Sequence, residues 1–138
     1  MKTVSQSQRL PDSDKVTVNV GLVDLGQLDL LVEEGFYSNR TDFVRTAIRN
    51  QLQVHADAIR QTVTRKRYVM GMYRYSRREL TELVASGQRL EIHVLGLALI
   101  EDDVPAALAQ EAIASIQVLG AFIAPPAVRE ALADRIQS

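Results

Sequence analysis

From Lys15 to Val20 apolar and polar positions alternate strictly: Val16, Val18 and Val20 fall to one side, Lys15, Thr17 and Asn19 to the other. A period of two predicts a half-buried β-strand. The next apolar positions, Leu22, Leu25, Leu28, Leu31 and Val32, are spaced as on a helix and stop at Gly35, a natural C-cap. A second helix is predicted after Ser38. Ser38-Asn39-Arg40-Thr41-Asp42 offers a capping side chain and an acid in the first turn, and Phe43, Val44, Ala47, Ile48 and Leu52 then share one face. A weaker pattern through Val54, Ala58, Ile59 and Val63 extends this helix, with no proline or glycine before Gly71.

The second half of the chain holds a repeat. Ile92-His93-Val94-Leu95-Gly96 returns 24 residues later as Ile116-Gln117-Val118-Leu119-Gly120, and Ala107-Leu108-Ala109 returns as Ala131-Leu132-Ala133. Tyr68-Val69-Met70-Gly71, followed by a helix around Arg77 to Ala85, is a fainter first copy at a shift nearer 25. Each copy reads as strand, turn and helix. None can bury its own apolar face, so the copies are expected to stack as parallel strands with helical crossovers.

The strand at residues 15–20 has no such neighbour. A lone strand satisfies neither its backbone nor its valines, and the economical remedy is the same strand of a second copy, giving a twofold antiparallel ribbon. Composition adds bounds. The chain has 138 residues, 46% of them apolar, and no cysteine, which removes disulfides and thiolate metal sites. Its start lacks the apolar core of a signal peptide, and no run reaches the roughly 18 apolar residues of a membrane span. A cytoplasmic protein without membrane association is therefore expected. The net charge of −1 divides unevenly: residues 1–70 carry ten Lys/Arg against eight Asp/Glu, residues 71–138 six against nine.

The strand, the first helix and the stretch EEGFYSNRTDFVRTAIRNQL together resemble the Arc/MetJ/CopG-like ribbon-helix-helix family. Gly35, Phe36, Ser38, Arg40, Thr41, Asp42, Phe43, Val44, Arg45, Ala47, Ile48 and Arg49 follow the family's turn and second helix in order. The resemblance covers about residues 15–53 and implies a homodimer whose ribbon enters the major groove of double-stranded DNA. It implies Lys15, Thr17 and Asn19 as base readers. It also implies phosphate binding at the start of the second helix, through Ser38, Asn39 and Arg40. Arg45 and Arg49 are open between phosphate contact and ion pairs with Glu33 or Glu34.

The expected fold class is α+β. A flexible polar arm over 1–14 precedes the ribbon-helix-helix domain over 15–53. A helical extension over 54–67 leads to a small α/β domain of repeated strand-helix units over 68–138. The expected function is sequence-specific transcriptional regulation, by repression, with the C-terminal domain joining dimers into a higher oligomer. Two other readings stay open: an antitoxin whose second half binds a toxin, and a partition or scaffold protein that organises DNA. No catalytic constellation is present and no cofactor is implied. His55 and His93 are the only histidines, too few for a transition-metal site. The run Glu101-Asp102-Asp103 is read as a helix start capped by Asp103 rather than a cation site. The basic residues Arg60, Arg65, Lys66, Arg67, Arg74, Arg77 and Arg78 are read either as a solvated face or as auxiliary phosphate contacts.

Overall fold

A computed structural model describes residues 11–137, so most of the expected arm over 1–14 lies outside the described residues. The chain divides into two compact units, a helical unit of Lys15–Arg65 and a sheet unit that includes Lys66–Ser138.

In the helical unit, residues 15–20 form neither helix nor strand within the single chain. Helix α1, Leu22–Glu33, ends where the pattern predicts. Gly35 turns left-handed at φ 84°, its N–H bonds Val32 O and the Phe36 N–H bonds Leu31 O, a Schellman closure. Helix α2, Arg40–Val54, follows, and α3, Ala56–Arg65, begins after a break at His55. The extension is thus a separate helix rather than a continuation of α2. It stops without glycine, and Arg67 just beyond takes φ 58°.

The sheet unit is built from β1 (Val69–Tyr75), β2 (Leu90–Ile100), β3 (Ile113–Ile123) and a short β4 (Ile136–Gln137), adjacent in that order and all parallel. Between them run α4 (Arg77–Ala85), α5 (Ala106–Ala112) and α6 (Pro126–Ala131). The repeat in the sequence is the register of the sheet: Val94 pairs with Val118 and Gly96 with Gly120, while Val69 pairs with Val94 and Gly71 with Gly96. Ser76 caps α4 by accepting from the Glu79 N–H at 3.1 Å. Helix α5 starts later than expected. Pro105, not Asp103, occupies its N-cap, and Glu101 instead lies 3.8 Å from Arg74. The proline suits that boundary because its φ is already near the helical value.

One face of the sheet and the three helices share a core in which Leu80, Ile92, Val94, Ile100, Ile113, Ile116, Val128 and Leu132 are fully buried. On the other face Met70, Met72, Leu119 and Ile123 remain exposed. No helix among the described residues is long and apolar enough to cross a membrane.

Gly71, Gly96 and Gly120 form a column across the strands, all at positive φ. A Cβ on Gly96 would collide with the Gly71 carbonyl oxygen, and one on Gly120 with the Gly96 carbonyl oxygen. Strand backbones therefore interlock where side chains would hold them apart. Gly96→Ala is expected to destabilise the sheet unit by about 2–5 kcal/mol, combining overpacking and a left-handed backbone. Gly26→Ala meets nothing within 4 Å inside α1 and should stabilise by roughly 0.5–1 kcal/mol. Urea unfolding of both variants, followed by hydrogen exchange to assign the transition, checks the pair.

Candidate nucleic-acid interface

The alternating segment presents its polar side, Lys15, Thr17 and Asn19, to solvent. It presents its apolar side as well. Val16, Val18 and Val20 are 83%, 71% and 47% exposed. Val20 borders an apolar groove of about 590 Å³ whose walls include Leu28 and Leu31 of α1 and Phe43, Val44, Ala47 and Ile48 of α2. Leu28 is the single buried hydrophobic side chain among residues 15–65. The helical unit of one chain therefore has a half-built core, open beside Val20.

The start of α2 is held by local chemistry. Asn39, rather than Ser38, is the N-cap: its Oδ1 accepts the Asp42 N–H at 2.8 Å. Asp42 in turn accepts the Ser38 N–H through Oδ2 at 3.0 Å. Arg40 reaches back eleven residues and grips Asp29 with two parallel bonds, Nε to Oδ1 and Nη2 to Oδ2, each 2.8 Å. Tyr37 packs edge-on against Phe43 with ring centres 5.1 Å apart. These contacts fix α2 against the end of α1.

They also occupy part of each residue assigned to phosphate. Ser38 has spent its N–H, Asn39 its carbonyl and Arg40 two of its nitrogens. Among the described residues no hydrogen bond is made by the Ser38 hydroxyl, Asn39 Nδ2, Arg40 Nη1 or the N–H groups of Arg40 and Thr41. These donors belong to residues at the start of α2, where the helix dipole favours an anion. Arg45 and Arg49 are exposed, and neither pairs with Glu33 or Glu34.

The family model of the ribbon-helix-helix transcriptional regulators matches residues 11–129. The chain belongs to that family. Its kind is accordingly the DNA-binding transcriptional regulator, and the match runs well past the helical unit into the sheet. No curated protein and no solved structure matches the chain.

The Asp29–Arg40 clamp was invisible in the sequence, because nothing in either local pattern couples positions eleven apart across a turn. His93 lies in β2 with its ring 6.2 Å from that of Tyr68, as a strand residue, and the described residues hold no cluster of metal-ligating side chains. The hydrogen bonds from Arg40, reinforced by its charge, hold the Asp29 carboxyl below the ordinary aspartate range. A carboxyl lowered in the folded state stabilises above its unfolded pKa, and this contribution fades as pH falls through the lowered value. In an NMR titration the Asp29 carboxyl should titrate below the ordinary aspartate value, and Arg40→Gln should return it to that value.

Proposed function

We propose that the protein is a sequence-specific transcriptional repressor that dimerises through residues 15–20 and reads the major groove with the resulting antiparallel ribbon. One observation carries this: Val16, Val18 and Val20 stand exposed, the last of them bordering an unfilled apolar groove, in a chain of this family. Full burial of a valine is worth about 1.5–3 kcal/mol, so the area still exposed on the three represents roughly 3–6 kcal/mol per chain that a partner can supply. A second copy supplies it symmetrically. Its strand satisfies the backbone while its valines fill the groove.

With the valines facing the helices, strict alternation sends Lys15, Thr17 and Asn19 to the other side of the ribbon. Lys15 suits guanine O6 and N7, Asn19 can form a bidentate pair with adenine N6 and N7, and Thr17 can meet a base edge or a thymine methyl. Ser38, Asn39 and Arg40 would then hold a phosphate with the donors still open at the start of α2, which sets the docking position without reading sequence. Residues 15–53 serve as the reading domain, 54–67 as its helical extension and 68–138 as an assembly domain.

A ribbon touches few base pairs, so neighbouring dimers must be joined for tight binding. The exposed Met70, Met72, Leu119 and Ile123 support the sheet unit as the place where a second copy docks, since parallel sheets are normally covered on both faces. A sheet unit with its own buried core is unlike the disordered tail by which an antitoxin wraps its toxin.

Val18→Asp should convert dimers to monomers in sedimentation and abolish DNA binding. Selection of bound duplexes from a random pool tests the readers. The wild type should enrich a short motif, and Asn19→Ala should lose preference at one position per half-site, with about 1–3 kcal/mol less discrimination. An unchanged motif would remove Asn19 from the readers; no enrichment by the wild type would favour a DNA-organising protein.

A further inference from the structure

Residues 60–78 carry seven of the sixteen Lys and Arg and no Asp or Glu, leaving nine against seventeen for all other positions. Within this segment three arginines are neutralised by the protein itself: Arg60 pairs with Asp57, Arg74 with Glu101 and Arg78 with Glu82. Arg65 ends α3, where the helix dipole favours a cation. Lys66, Arg67 and Arg77, all in the sheet unit, have no such explanation. Each is exposed and none forms an ion pair with the described residues.

Two of them sit where folding alone would place something else. Arg67 adopts φ 58°, a conformation that favours glycine or asparagine. Arg77 is the first residue of α4, at the positive end of the helix dipole, where an acid stabilises and a cation does not. Both positions keep a positive charge against the local preference.

Spacing selects the ligand. Lys66 and Arg67 precede β1 and Arg77 follows it, and a seven-residue strand spans about 23 Å. No single phosphate or small anion reaches both ends. A polyanion with regularly spaced charges does.

We infer that Lys66, Arg67 and Arg77 form a second DNA contact, a strip on the β1 side of the sheet unit that binds the phosphodiester backbone of duplex DNA. The inference rests on the DNA-binding reading above and extends it from the helical unit to the sheet unit. The strip adds affinity without sequence preference, because phosphates carry no base information. Its contribution falls with salt as condensed counterions return to the duplex.

The test uses the full-length chain and the duplex enriched by selection, with affinity read by fluorescence anisotropy between about 50 and 200 mM salt. Lys66→Gln/Arg67→Gln/Arg77→Gln should flatten the plot of log affinity against log salt by about 0.9 for each phosphate no longer neutralised, roughly 2.7 per chain. The selected motif should stay unchanged. Lys66→Arg/Arg67→Lys/Arg77→Lys should keep the wild-type slope. Arg77→Gln alone relieves an unfavourable helix-end charge, so it remains folded and should flatten the slope by about 0.9 per chain. An unchanged slope in a wild type that still selects its motif would overturn the strip and leave the ribbon reading intact. Failure of the wild type to bind any duplex would overturn both. Binding of the wild type to vesicles rich in anionic lipid, abolished in the triple variant while the DNA slope is unchanged, would assign the strip to a membrane surface and overturn the inference.

Discussion

The helical unit cannot complete a hydrophobic core from its own chain. Across residues 15–65 only Leu28 is buried among the hydrophobic side chains, while Ile48 and Leu52 on α2 are each 54% exposed and the valines at 16 and 18, before α1, more so. Ordering a residue costs about 1–2 kcal/mol in backbone entropy, so a segment of this length with one buried leucine does not hold itself together. In the proposed dimer folding and association become one event, and stability depends on protein concentration. The same constraint directs chemistry. Once the valines are committed inward, the pleat of the strand leaves no freedom over which side chains face out, and a register slip by one residue would exchange readers for core.

The sheet unit solves the opposite problem. Its core is closed by its own helices, and eight large side chains are fully buried. What it needs is register, and backbone supplies that through the column Gly71–Gly96–Gly120. Each carbonyl fills the space a Cβ would take on the next strand, so the strands fit in one alignment. Because a one-residue shift turns every side chain to the wrong face, the interlock protects the division between the buried face of Val94 and Val118 and the open face of Leu95 and Leu119.

Much of this was legible in the residues, and the reasons differ. The parallel register was written as a repeat, since neighbours in a stacked array occupy equivalent environments and keep equivalent residues. The end of α1 was legible because Gly35 serves a backbone angle that few other residues tolerate. The clamp between Asp29 and Arg40 was not, because its partners meet only after two helices have been folded against each other. Neither was the break at His55, where no proline or glycine marks the interruption. The capping role expected of Asp103 failed for a local reason: Pro105 lies closer to the helix start, and Ala106 follows it as the first helical residue. The alternating segment reads as a strand, but in the single chain residues 15–20 take no strand conformation and pair with no strand among the described residues. The period-2 pattern marks which side chains would share a face and does not by itself supply the hydrogen-bonding neighbour a strand needs.

With the proposed roles, charge and sequence reading are separated along the chain. Of the proposed readers only Lys15 is charged, so the proposed ribbon would discriminate bases chiefly through hydrogen-bond geometry, at about 1–3 kcal/mol per bidentate pair. That energy separates one site from another but draws the protein weakly toward DNA as such. In the same reading, attraction toward DNA as such would come from cations left without ion-pair partners, acting within a Debye length, about 8 Å at physiological salt. An overall charge of −1 hides this arrangement. The excess of acids over the rest of the chain would repel the duplex. With seven cations concentrated in residues 60–78 and three already neutralised, the inferred strip would give affinity a location in the sequence separate from specificity. Each can then change without disturbing the other, because a base reader must keep its geometry while a phosphate contact need only keep its charge.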